Sequence, residues 1–386
     1  MSLSRILLSI AVIVLLAGCQ TVGGWFSRDK GEAPAELVDF SQSRSVERLW
    51  TRSTGAGINR SRPAFRPVPF QGDLWVADHR GRIVAVDIES GNINRRFDTG
   101  LPLSSGPAMS PGLALVGTFD GQLVALDPDD GETRWTAQLS SEIIAYPVVQ
   151  DGVVVVRSID GRTFGLDASS GRRLWVHDRS VPILTLRGNS DPLVRAGQVF
   201  IGYDDGAVAA LRVADGSLLW EQRVSEPEGR TELDRLADID GPMAIVGSEL
   251  YVATYRGRTA SLALDAGRIN WVTELPSASG LTVLRTQLAA TDRDDAVWLL
   301  DRRDGSTLWR DEQLARRGVS RPVFISDLLV VSDSQGYLHF YDTSSGEFAA
   351  RVRAGRSQPS ADPLVLGNDV FLLDEDGNLS AWRLAN

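Results

Sequence analysis

The chain of 386 residues holds one cysteine, three histidines and three methionines. A lone cysteine, Cys19, excludes an internal disulfide, an adjacent cysteine pair and a CxxCH haem attachment site. The histidines, His79, His177 and His339, stand far apart without metal-ligand spacing and read as surface or turn residues. No GxSxG, HExxH or phosphate-cradling glycine loop appears, so no familiar catalytic apparatus is spelled out. Beyond Leu16 no apolar run approaches the roughly 20 residues of a spanning helix. Positive charge is also scarce: 40 Lys and Arg face 50 Asp and Glu, giving a net charge of −10. That balance disfavours nucleic acid as a partner, and no basic stripe with interleaved aromatics is present. What is there is a body 43% hydrophobic and 23% charged, the composition of a soluble folded chain.

The first residues are an exception to that composition. Residues 1–18 read as a lipoprotein signal peptide, with Arg5, an apolar run over 6–16, and Leu16-Ala17-Gly18 before Cys19. The run is too short to cross a bilayer of about 30 Å. Small residues before a cysteine resemble the bacterial lipobox, which implies that the Cys19 thiol is lipidated and becomes the first mature residue. Two or more acyl chains there would be a stable anchor. Gln20 follows, not the Asp that in enteric bacteria retains lipoproteins at the inner membrane, so the resemblance implies the periplasmic face of the outer membrane. Residues 19–44 read as a lipidated flexible tether, polar and without periodicity, about 25–30 Å end to end as a coil.

The rest, 45–386, repeats itself. In 119–135, FDGQLVALDPDDGETRW, Gly121 opens an alternating segment, Gly131 follows ten residues on, and Trp135 closes the unit. The opening glycine recurs at Gly81, Gly161, Gly206, Gly257, Gly336 and Gly377, with Asp295 in its place in one unit. The step is about 42 residues, and four short alternating segments per step are the mark of a propeller blade. The expected fold is therefore all-β: an eight-bladed propeller with four antiparallel strands per blade. Trp135, Trp175, Trp220, Trp271 and Trp309 read as structural wedges between blades. The first and seventh units lack that Trp and carry Arg95 and Ala350 instead. The last unit stops at Asn386 before any outer strand, while Leu49-Trp50 look like an outer strand with no blade before them. Residues near 47–53 should thus complete the eighth blade and remove the open edge.

Two connections are longer than the others, 176–192 and 224–242, and both must emerge on one face of the disc. Insertions on one face of a repeat array often mark the binding face. The first carries Leu184, Leu186 and Arg187 where no blade pattern needs them; the second carries Asp234, Asp238 and Asp240 with Arg235. An apolar pair beside an Arg, with facing carboxylates at the rim, has the makeup of a protein-binding hot spot. Two structural readings stay open: Leu184 and Leu186 as the start of the next inner strand, and Arg187 paired with Asp238 or Asp240 within the chain. Asp238-Ile239-Asp240-Gly241 also hints at a calcium loop, but the bidentate Glu further on is missing.

The lipobox, eight quinoprotein-like repeats, and the loops LTLRGNSDP and TELDRLADIDGP together resemble the BamB family of outer-membrane assembly lipoproteins. The resemblance covers essentially the whole chain. It implies a non-enzymatic subunit of the β-barrel assembly machinery, without cofactor or metal, assisting the folding and insertion of outer-membrane proteins. It implies binding to the periplasmic POTRA domains of BamA and, through BamA, association with the machinery's other lipoproteins. It assigns the BamA contact to Leu184, Leu186, Arg187, Asp238 and Asp240. Two other classes are weighed against it. The same repeat builds quinoprotein dehydrogenases, some of which need cysteine sites that this chain lacks. A lipoprotein binding nascent outer-membrane proteins or a cell-wall polymer through its blades is the other, with an outer strand adding a client strand by β-augmentation.

Overall fold

The computed structural model describes residues 33–58, 65–186, 190–226, 230, 231, 233 and 235–385; Cys19, Arg187 and Asp234 lie outside them. These residues form eight antiparallel sheets of four strands, arranged as an eight-bladed propeller. Blade 1 spans 68–98, blade 2 103–138, blade 3 148–177, blade 4 193–223, blade 5 244–273, blade 6 281–311 and blade 7 323–353. Blade 8 joins 364–384 to the strand Val46–Ser53 from the other end of the chain. Val46 stands opposite Leu384 and Ser53 opposite Asn378, so the ring closes where the sequence indicates.

The burial of each strand follows from its place. Second strands such as Leu113–Thr118, Val153–Arg157 and Leu328–Ser332 are buried at every position, because neighbouring blades cover both faces of the sheet. Their apolar runs are therefore continuous rather than alternating. Outer strands such as Ile93–Asp98 alternate between half-buried and exposed. Between the third and fourth strands of blades 1 to 7 the register slips by one residue, for example between Gly165 and Leu166 of blade 3. Such a bulge re-aims the side chain that follows it. In blades 2 to 6 the side chain at the bulge is the Trp of the repeat.

Each Trp lies on the second Gly of the next blade. Trp135 covers Gly171, and a Cβ there would come within 2.5 Å of the ring. Its indole N–H donates to the Ala168 carbonyl at 2.9 Å. The same contact recurs for Trp175 on Gly216, Trp220 on Gly267, Trp271 on Gly305, Trp309 on Gly346 and Trp50 on Gly91. These glycines also hold φ near +70°, so both the close approach and the turn require them. Asp295, which replaces an opening glycine, takes φ +68° and accepts the Gly318 and Val319 N–H groups at 2.7 and 2.9 Å. Its side chain thus supports a backbone conformation that glycine adopts without help.

Two expectations need correction. Residues 33–44 do not hang free as part of a leash; they lie along blade 7. Ala35 N–H donates to the Ala315 carbonyl at 3.0 Å, and Arg317 and Arg351 donate to the Ala35 and Val38 carbonyls, both at 2.8 Å. Leu37 packs into the core cluster around Trp309 and Tyr341, and Phe40 rests on Phe348 at 5.3 Å. His339 is not a surface or turn residue. It sits fully buried in blade 7, with Nε2 3.0 Å from Asp333 Oδ2 and Nδ1 accepting from Arg351 Nε at 3.1 Å. Burial lowers its pKa.

Candidate functional site

The two long connections follow the outer strands of blades 3 and 4, so they flank blade 4 on one face of the ring. Their ends are fastened by different means. In the second, Leu236, Ala237 and Ile239 are buried, Ile239 N–H donates to the Tyr203 carbonyl at 3.2 Å, and the Asp238 carbonyl accepts from Tyr255 N–H at 2.9 Å. This segment is wedged between the turns of blades 4 and 5. Gly202 makes room for it, since a Cβ there would meet the Ile239 side chain at 2.4 Å. In the first, Arg179 donates to Asp205 and Glu221 of blade 4, both at 2.7 Å, and covers the Tyr203 ring at 4.2 Å.

A hydrogen bond joins the two loops: Leu186 N–H donates to Asp238 Oδ1 at 2.8 Å. Leu186 is half-buried by this contact, while Ile183 next to the loop tip is 95% exposed and Leu184 39%. In the second loop Leu233 is 59% exposed. The inner strand of blade 4 begins only at Leu193, so Leu184 and Leu186 belong to the loop and not to the strand. The face therefore presents an apolar edge carried by both loops.

The carboxylates are arranged otherwise than expected. Asp238 is 1% exposed and Asp240 is largely covered, so neither stands at the rim as a free charge. Burial pushes the Asp238 pKa up to about 6, against the pull of the Leu186 N–H. Burial, then the neighbouring Asp238 and Asp204 carboxylates, push Asp240 up to about 8. Asp204, in the turn between the second and third strands of blade 4, is a member of the group that sequence reading missed. It accepts from Arg157 Nη2 at 2.9 Å, while Arg157 Nη1 donates to the Gly202 carbonyl at 2.7 Å. Arg157 is buried at a position where the other seven blades carry Ala77, Gly117, Gly202, Ala253, Thr291, Ser332 and Leu373. That lone charge was the available signal.

At the mouth of the axis the ring is bridged. Arg66, ahead of blade 1, pairs with Asp191, ahead of blade 4, at 2.6 Å, and its guanidinium lies 3.7 Å from the Tyr146 ring centre. Arg321 pairs in turn with Asp362 at 3.0 Å. The first pair thus ties the segments ahead of blades 1 and 4 to each other, and the second those ahead of the adjacent blades 7 and 8.

Comparison with known sequences decides the family. The family model described as "Outer membrane protein assembly factor BamB" matches residues 79–311 and 293–385. The chain belongs to the BamB family. The outer membrane protein assembly factor BamB of Pseudomonas aeruginosa is 45% identical over 96% of this chain and 98% of its own length. That of Xanthomonas campestris pv. campestris is 38% identical over 96% and 95%. The crystal structure of BamB from Moraxella catarrhalis superposes with a TM-score of 0.80 at 27% identity, covering 88% of this chain and all of that one. A quinohemoprotein alcohol dehydrogenase from Comamonas testosteroni matches with a TM-score of 0.67 at 13% identity, over 88% of this chain and 76% of that one. That likeness is one of fold alone. The chain thus matches its BamB relatives over nearly their full length.

Proposed function

We propose that this chain is a non-enzymatic scaffold subunit of the outer-membrane β-barrel assembly machinery, docking on the POTRA domains of BamA and assisting folding and insertion of outer-membrane proteins. Family membership supports the assembly role, and the joined loops support the docking face. The observation that carries the reading is the Leu186–Asp238 bond, because it holds two loops of different blades as one surface with Ile183, Leu184 and Leu233 outward. Leu184 is read as a direct contact. Leu186 and Asp238 act chiefly by fixing the loop, with Asp240 beside Asp238; Arg187, outside the described residues, keeps its reading from the sequence as a further contact. Cys19 is read as the lipidated anchor at the periplasmic face of the outer membrane, and the other lipoproteins of the machinery are reached through BamA. No covalent chemistry is required of the ring.

The experiment is a titration of the purified protein with isolated POTRA domains. Leu184→Ala and Asp238→Ala should each weaken binding by about 2 kcal/mol, roughly 30-fold, if they lie at a hot spot. Circular dichroism should report an unchanged fold. Absence of saturable binding by the wild type would remove the docking role.

A second reading concerns the blade edges. Leu174 and Val176 of blade 3, Leu218 and Leu219 of blade 4, Val272 of blade 5 and Leu308 of blade 6 are exposed on outer strands. Four adjacent apolar edges suit strand addition by an unfolded outer-membrane client. Photocrosslinkers at 176 and 272 that never capture client, while loop positions do, would rule it out.

A further inference from the structure

Asp204, Asp238 and Asp240 each bring one carboxylate oxygen into a group whose members all lie within 4.8 Å of one another. Asp204 and Asp238 are buried and Asp240 is largely so. A second observation separates this group from an ordinary acidic patch. Asp238, 1% exposed, spends Oδ1 on the Leu186 N–H and leaves Oδ2 buried without any hydrogen-bond partner. Asp240 Oδ1 is likewise buried and unpartnered. A buried carboxylate oxygen with no donor is costly, so something positive belongs against it. Arg157 is engaged at Asp204 Oδ1. With all three ionised, the carboxylates carry two negative charges beyond what that guanidinium offsets among the described residues.

We propose that Asp204, Asp238 and Asp240 bind one hard divalent cation, Ca²⁺ before Mg²⁺, and that the ion pins the two long loops to blade 4. The donors are all oxygens, with no His or Cys among them, which selects hard ions over zinc or copper. Oxygens on opposite sides of a Ca²⁺ ion stand about 4.8 Å apart, since each lies about 2.4 Å from it, so the observed spread fits a single centre. Mg²⁺ demands a tighter octahedron and is the weaker candidate. The Asp-Ile-Asp-Gly run by itself lacks a third acid at calcium-loop spacing; the fold provides one from the turn of the neighbouring blade. Water completes the coordination.

The consequence is mechanical. Asp204 belongs to blade 4 and is tied through Arg157 to blade 3, Asp238 holds the first loop by Leu186, and Asp240 belongs to the second. An ion among them makes the three move together.

The test uses the purified protein after chelator treatment. Calorimetric titration with CaCl₂, and in parallel MgCl₂, should reveal one Ca²⁺ site per chain, with a rise in melting temperature on Ca²⁺ addition. Asp240→Asn and Asp204→Asn should each weaken Ca²⁺ binding at least tenfold and abolish that rise; two variants guard against one failing to fold. Neither heat nor a melting shift with millimolar Ca²⁺ or Mg²⁺ in the wild type would overturn the proposal and leave protons as the counter-charge. Binding indifferent to both substitutions would overturn it equally. No partner enters these measurements, so they stand apart from the fate of the docking role.

Discussion

Seven seams of the ring are built alike and one is not. Where Trp50, Trp135, Trp175, Trp220, Trp271 and Trp309 press on a glycine of the next blade, the seam is local, made by one indole and one turn. Between blades 1 and 2 Phe97 takes the same place over Gly131, with a Cβ there 2.4 Å from the ring. Between blades 7 and 8 the device is impossible. Blade 8 has its outer strand from the start of the chain, so it has no such turn glycine, and blade 7 carries Ala350 where the Trp would be. There the strap 33–44 covers the blade edge with Leu37 and Phe40, and the buried Arg317, Asp333 and His339 take the load with the half-buried Arg351. A repeat locks itself by repeating; the point of closure has to be locked by residues that appear once.

That contrast is open to mutation. The largest effect is expected at a regular seam: Trp175→Ala removes an indole only 8% exposed, together with its N–H bond to the Val213 carbonyl, and should cost about 3–5 kcal/mol in denaturant unfolding. A loss below about 1 kcal/mol would mean that the lock is ornamental. Next is Arg317→Ala at the closing seam. Arg317 Nε donates to Asp333 Oδ2 at 2.8 Å, both groups are buried, and stranding the carboxylate should cost about 3 kcal/mol. Arg317→Lys should recover only part of it, because a single ammonium cannot also reach the Ala35 carbonyl and Gln335 Oε1, as Arg317 does at 2.8 and 2.9 Å. Gly171→Ala should cost about 1–3 kcal/mol, from a strained φ and the clash with Trp135, and calorimetry should register a lower melting temperature. The smallest is Phe40→Ala, about 1 kcal/mol from a half-buried ring pair. Its signature is local: faster amide exchange in the outer strand of blade 7 with the other seven blades unchanged. Uniform acceleration around the ring would mean that the strap holds the whole closure.

The regular seams were legible in the sequence because their parts sit at fixed intervals, with Gly ten and Trp fourteen residues past the opening glycine. Closure by 47–53 was legible for the same reason, as a surplus outer strand at one end and a missing one at the other. The strap was not, since its partners Arg316, Arg317 and Arg351 lie near the opposite end of the chain and 33–44 has no periodicity to betray it. His339 was misread because the search was for ligand spacing. In the strand Tyr337–Asp342, four consecutive residues from Leu338 to Tyr341 are buried, which already places a histidine among them in the interior. In the loops the sequence named the residues but not their roles. Asp238 and Asp240 point inward, a fact set by Gly202, Ile239 and Arg157 from three different elements. Arg157 alone was detectable, as a charge at a position held by small or apolar residues in every other blade.

The strap also fixes a direction. Ala35 is bonded to Ala315 in the connection between blades 6 and 7, which stands in the same place in its repeat as the two long loops do in theirs. The chain therefore joins the ring on the face that carries those loops, several blades away around the rim. Between Cys19 and Ala33 lie the thirteen residues 20–32, which cover at most about 45 Å however they are arranged. On the proposal that Cys19 is lipidated and held in a bilayer, the ring is a disc on a short string knotted near one edge of its working side. A partner anchored in the same membrane would then be sought in a thin layer rather than through the whole compartment, and the string's length becomes a quantity that selection can adjust without touching a single blade.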